Sequence, residues 1–142
     1  PVKIDSLTIR AKHLLHPTLS LGFRIEVNNL VIVYATDNEL ISESMYPGYS
    51  KRNLELLFRN ADIAIMDGQY EEEEYQKKEG YGHSSVERVM ALCKTLHVKQ
   101  VYIYHHDPFH SDEMIDNKII KARSLSDTIK TCGAKEGLII HL

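Results

Sequence analysis

The chain has 142 residues, of which 43% are hydrophobic and 26% are charged, and its formal net charge is −3. This length and composition predict a globular protein in which residues 1–142 form a single domain or half of one. The slightly negative charge argues against attraction to anionic membranes and against a nucleic-acid partner, although a local basic patch would still allow the latter.

Cys93 and Cys132 are the only two cysteines, and their spacing fits neither a zinc knuckle nor a disulfide framework. We interpret them as reduced thiols. The longest apolar runs are far too short to span a membrane, and no signal peptide is expected at the start of the chain. The predicted location is therefore the cytoplasm.

The first part of the chain predicts β-strands. Residues 7–14 and 21–27 alternate between apolar and polar side chains, which is typical of half-buried strands. Asn28 and Asn29 tolerate the positive φ of a tight turn, so we expect a hairpin there. Residues 30–34 are apolar throughout, which favours a central strand that is covered on both faces.

The remainder of the chain predicts helices that alternate with strands. Ser84 and Glu87 fit a capping box at a helix start, and Gly133 is expected to end the last helix. The other expected elements are a loop at 38–50, helices at 52–59, 71–78 and 111–131, and strands at 61–66, 101–104 and 138–140. The predicted fold class is α/β, with helices covering a mixed sheet.

Imidazoles and a carboxylate stand where the predicted elements begin or end. His16 lies in a loop, Asp37 follows the strand at 30–34, and His83 precedes the helix that Ser84 caps. His105 and His106 directly follow the strand at 101–104. Such groups at strand ends are the usual components of a metal-dependent hydrolytic centre.

Each of these residues also has a simpler explanation. Asp37 could stabilise a turn, and His16 could be an ordinary loop histidine. His83 could simply neighbour a helix cap. Successive side chains of a strand point to opposite faces, so at most one of His105 and His106 is expected to be a metal ligand.

The order of these residues resembles the second half of the metallo-β-lactamase fold, in its phosphodiesterase-like and ribonuclease-Z-like branch. The resemblance covers most of the chain from His16 onward, in the stretches 16–26, 34–37, 61–70, 82–85 and 104–108. It implies the C-terminal half of an αββα sandwich.

The resemblance also implies roles for individual residues. Asp37 resembles the aspartate that bridges two divalent ions, most often zinc but also manganese or iron, which activate a water for attack on a phosphodiester or similar ester. His16 resembles a ligand of one ion, and His105 resembles the last histidine ligand of the other, with His106 as the competing choice. His83 resembles the histidine that protonates the leaving oxygen.

Two departures from the family pattern qualify this interpretation. Thr18 and Leu19 stand where relatives usually have two glycines, and the family's His-x-His-x-Asp-His motif does not occur before His16. We therefore expect an incomplete, inactive site with exposed apolar surface that forms a homo-oligomer or binds a partner chain carrying the other half. A non-catalytic binding or assembly module is the alternative.

Overall fold

Seven β-strands form one sheet in this computed structural model, which describes residues 1–41 and 48–141, with side chains at 48 and 49 excepted. The strands are β1 (Val2–Ile4), β2 (Leu7–His13), β3 (Leu21–Val27), β4 (Leu30–Ala35), β5 (Ile63–Asp67), β6 (Gln100–Tyr104) and β7 (Lys130–Gly133). They lie side by side in chain order. Pairs from β1 to β4 are antiparallel and pairs from β4 to β7 are parallel, which confirms the mixed sheet.

The β3–β4 hairpin closes through the two predicted asparagines. Asn28 and Asn29 have φ values of 48° and 66°. Both values lie in the left-handed region that a two-residue hairpin turn with the correct twist requires. The turn therefore places β4 at the centre of the sheet, beside the first parallel strand.

The helices pack on one face of the sheet. They are α1 (Gly48–Phe58), α2 (Glu72–Tyr75), α3 (Val86–Thr95) and α4 (Asp112–Ser124). Val33, Ala64 and Val101 form one register row beneath them and are fully buried. None of the described helices combines the length and the apolar composition that a membrane span requires.

The opposite face of the sheet is apolar but only partly covered. Phe23, Tyr34, Ile65 and Tyr102 lie in one register row on this face, and Tyr34 is 39% exposed. The prediction that residues 30–34 are covered on both faces is therefore wrong, because the described helices supply a layer on one side alone. The expected exposed apolar surface lies here.

The predicted long helix at 111–131 is wrong in its second half. Helix α4 ends at Ser124, and Lys130–Gly133 instead pairs with β6 as an edge strand. The polar segment between α4 and β7 forms a turn that local hydrogen bonds stabilise, such as the bond from the Thr128 amide to Ser126 Oγ at 3.3 Å. The edge of β6 is thus occupied by Lys130–Gly133. Residues 138–140, which were predicted to be a strand, form none.

Three helix starts or lengths also differ from prediction. Helix α1 begins at Gly48, four residues before the predicted helix at 52–59. Part of the predicted loop at 38–50, the segment 42–47, lies outside the described residues. Helix α2 is limited to four residues. The cap of α3 is Ser85, whose side chain accepts the Arg88 amide, because the Ser84 hydroxyl binds residues 38 and 40 instead.

Candidate metal centre

The candidate site lies at the carboxyl ends of three neighbouring parallel strands. Asp37 follows β4, Asp67 is the last residue of β5, and His105 directly follows β6. Carboxyl ends of adjacent parallel strands meet at one edge of a sheet, where loops can bring their side chains together. His83 reaches the same edge from the loop that precedes α3.

Four side chains converge closely enough to share one cation. One donor atom each from Asp37, Asp67, His83 and His105 lies within 4.8 Å of all the others. His105 Nε2 is 3.2 Å from Asp37 Oδ1, and His105 Nδ1 is 3.9 Å from Asp67 Oδ2. Two imidazoles and two carboxylates form a donor set that zinc, manganese and iron all accept.

His16 lies at the rim of this group. Its Nε2 is 4.0 Å from Asp37 Oδ1, and its ring meets the His83 ring edge-on at 5.5 Å between centroids. Its Nδ1 is 3.0 Å from Thr18 Oγ1. The same Nδ1 accepts the Thr18 backbone amide at 3.2 Å, so the proton of the neutral ring lies on Nε2, which faces the Asp37 carboxylate.

The donor set fits a divalent cation on two grounds. His105 Nδ1 is buried and has no hydrogen-bond partner among the described residues, and such orphaned groups are rare without a ligand. His105 also stands between the Asp37 and Asp67 carboxylates, whose like charges a cation would neutralise.

Residues 1–106 match a family model described as a β-lactamase superfamily domain. The chain belongs to this superfamily. No curated protein sequence matches it significantly. Its helix-covered mixed sheet is that of metallo-β-lactamase fold proteins of known structure.

Three solved structures illustrate the shared fold. The metallo-β-lactamase fold protein YhfI from Bacillus subtilis is 17% identical with a TM-score of 0.74, over 97% of this chain and 51% of YhfI. A diphosphatase of the PhnP family is 18% identical with a TM-score of 0.65, over 99% of this chain and 46% of the diphosphatase. The short form of human tRNase Z is 20% identical with a TM-score of 0.58, over 74% of this chain and 38% of tRNase Z. The chain spans about half the length of YhfI and less than half of the other two.

Two residues of the candidate metal centre have left-handed backbone conformations. Asp37 has a φ of 53° and His105 a φ of 56°. Left-handed backbone is uncommon outside glycine, costs roughly 1–3 kcal/mol per residue, and clusters at functional sites. Both strand exits therefore adopt the turn that aims their side chains at one point.

Asp67 joins the candidate site although its sequence position was not predicted to carry a ligand. It is fully buried, and its Oδ1 accepts the backbone amides of Gln69 and Ser84 at 3.2 and 3.3 Å. Its Oδ2 lies 2.6 Å from His83 Nδ1. Its position could have been predicted from the sequence, because Asp67 is the last residue of an apolar strand, much as Asp37 follows the end of β4 by two residues.

The two remaining candidate histidines differ in their electrostatics. The hydrogen bond to Asp67 raises the pKa of His83, with burial opposing and the Asp37 charge assisting. Burial lowers the pKa of His106 to about 4, and neither of its ring nitrogens has a partner among the described residues. The donor group includes His105 and not His106.

A second cluster of potential ligands lies beside α4. Glu74, Asp107 and His110 also bring donor atoms within 4.8 Å of one another. The Lys78 ammonium already lies 2.8 Å from Glu74 Oε1 and 2.9 Å from Asp107 Oδ2. A cation is therefore supplied by the chain itself, and this cluster is an ion-pair network.

Proposed function

We propose that this chain carries half of the metal centre of a hydrolase that cleaves a phosphodiester or similar ester. The supporting observation is the convergence of Asp37, Asp67, His83 and His105 at one edge of the sheet, with His16 at the rim. A divalent ion, zinc or else manganese or iron, would there lower the pKa of a bound water and polarise a phosphoryl oxygen.

The distances suggest how the ligands divide. Asp37 Oδ1 lies 3.2 Å from His105 Nε2 and 4.0 Å from His16 Nε2, so the carboxylate stands between two imidazoles. A carboxylate with two oxygens can bridge a pair of ions. Asp37 would be the ligand shared by the two ions, His16 would hold one ion and His105 the other, and Asp67 would be a further ligand.

We assign to His83 the proton that the leaving oxygen requires. Asp67 Oδ2 binds its Nδ1 at 2.6 Å and so fixes the ring, which stacks on the His105 ring at 4.9 Å between centroids. The Nε2–H of the protonated imidazole is then the free donor. The hydrogen bond to Asp67 raises the pKa of His83, which favours the protonated ring that a general acid requires.

A partner is part of this proposal. The described residues of the site supply too few ligands for two ions that each need about four. The row Phe23, Tyr34, Ile65 and Tyr102 offers an apolar surface to a second layer. We propose that a polypeptide with a matching apolar face and further imidazoles covers it in the cytoplasm, where Cys93 and Cys132 stay free thiols.

Zinc titration of the purified chain tests the metal centre. We expect Asp37→Asn to weaken zinc binding by more than the roughly 10- to 100-fold that loss of an outer partner produces. Asparagine tolerates the φ of 53° at this position, so the fold should persist. Asp5→Asn is the matched control, since Asp5 has a φ of 49° in an exposed turn.

Equal zinc affinity in wild type, Asp37→Asn and Asp5→Asn would contradict the metal centre. It would favour the second candidate, a non-catalytic binding or assembly module, which the partly covered apolar sheet face supports. Sedimentation analysis then distinguishes the two further. A tight homo-oligomer that contains no metal is the result expected of the module alone.

A further inference from the structure

Glu39 is a buried carboxylate whose bonding is unusual. Its residue is 3% exposed, and it forms no ion pair with the described cationic side chains. Its Oε1 accepts the Tyr75 hydroxyl at 2.8 Å and the Gly80 amide at 2.7 Å, and its Oε2 accepts the Gly82 amide at 2.9 Å. A buried charge is tolerated when several donors satisfy it in this way.

The bonds of Glu39 join two loops that carry site residues. Glu39 follows Asp37 by two positions, and Gly82 directly precedes His83. Ser84 strengthens the same connection, because its hydroxyl donates to the Asn38 carbonyl at 2.5 Å and accepts the Leu40 amide at 3.1 Å. The strand exit at Asp37 and the loop bearing His83 therefore form one unit.

Gly82 extends this connection to the rim of the site. It has a φ of +95°, and a Cβ built on it would overlap the imidazole of His16 and the ring of Pro17. The backbone of the loop thus lies directly against His16. A bond that fixes the Gly82 amide also fixes the surface on which that imidazole rests.

We propose that Glu39 is a positioning residue that sets the His83 loop, and through Gly82 the His16 imidazole, relative to Asp37. This inference rests on the proposed function, because positioning has a purpose only if those side chains act together. Both side-chain oxygens of Glu39 must act as acceptors. A glutamine at position 39 would turn an NH2 group toward the Gly80 or the Gly82 amide, and two donors cannot bond to each other.

Tyr75→Phe is the matched control for Glu39→Gln. It removes one of the three hydrogen bonds on the same carboxylate, within the same buried region, and leaves both loop amides bound. General loss of stability should appear in both variants. Loss of loop position should appear in Glu39→Gln alone.

The first readout needs no metal. In the full chain labelled with 15N-histidine, we expect Glu39→Gln to shift the ring-nitrogen resonances of His83 and His16, and Tyr75→Phe to leave both unchanged. In the wild type, the Gly80 and Gly82 amides should exchange slowly with solvent. Rapid exchange of these amides, or equal shifts in both variants, would overturn the proposal, and the exchange measurement decides even if Glu39→Gln fails to fold.

The second readout is the zinc dissociation constant of each variant. We expect Glu39→Gln to raise it about 10- to 100-fold and Tyr75→Phe to change it by less than roughly threefold. Equal weakening in the two variants would reduce Glu39 to a stabilising role and overturn the proposal. If the wild type binds no zinc while the resonance shifts appear as expected, the proposed metal centre is contradicted, and the shifts support only the structural joining of the two loops by Glu39.

Discussion

Replacing Gly82 with alanine tests how closely the His83 loop packs against His16. Gly80 provides a matched comparison, because its φ of +90° is close to the +95° of Gly82, yet nothing lies within 4 Å of a Cβ built on it. Both amides also donate to Glu39. The two substitutions therefore share the backbone penalty and differ in the space that the new methyl group meets.

The structure gives the expected magnitudes. Left-handed backbone costs an alanine roughly 1–2 kcal/mol, so Gly80→Ala should lower the free energy of unfolding by about that amount. Gly82→Ala carries the same penalty, and its methyl group would also displace the rings of His16 and Pro17. Overpacking of this kind costs typically about 1–3 kcal/mol, so the total should reach roughly 2–5 kcal/mol.

Urea unfolding of the metal-free chain, followed by circular dichroism at neutral pH, measures both values. Equal slopes in wild type and variants would show that the denatured state is unchanged. Gly82→Ala should also weaken zinc binding, whereas Gly80→Ala should not, because His16 moves in the first alone. Equal destabilisation by the two substitutions would refute the close packing of the loop on His16.

Three further predictions follow from other parts of the chain. Burial lowers the pKa of Lys118 to about 8, so unfolding takes up a proton between pH 8 and 10.5. In urea titrations, the unfolding free energy of wild type minus that of Lys118→Met should therefore rise by about 2 kcal/mol between pH 7.5 and 9.5. A difference that does not change with pH would contradict the lowered pKa of Lys118. In an assembled, active enzyme, His83→Ala should lower turnover by roughly 100- to 10,000-fold with metal content unchanged, and parallel loss of metal would make His83 a ligand instead. Tyr34→Ser should weaken self-association of the isolated chain in sedimentation experiments, whereas Phe109→Ser, on a residue that is 90% exposed outside the sheet, should not.

Much of the sheet could be predicted because local chemistry determines it. Alternation fixed the bounds of β3, and Asn28 and Asn29 adopt the positive φ that their side chains tolerate. The second half of the long predicted helix failed because residues 125–131 carry a helix-like apolar spacing that tertiary pairing overrides. A free edge on β6 binds Lys130–Gly133, and no local pattern reveals that an edge is available.

The site divides in the same way between what is local and what depends on contacts. His16, Asp37, His83 and His105 could be found because each stands at an element boundary, and the structure brings all four to one place. Asp67 occupies an equivalent boundary and could have been found by the same rule.

Glu39 could not be found in this way, because its importance lies in amides at Gly80 and Gly82, about forty residues later in the chain. Ser84 shows the difference most clearly. Its sequence context predicts a helix cap, but its hydroxyl binds the Asn38 carbonyl and the Leu40 amide, and Ser85 caps the helix instead. The Ser84 hydroxyl thus joins the loop before α3 to the segment after Asp37, and it does not cap the helix as its sequence context predicts.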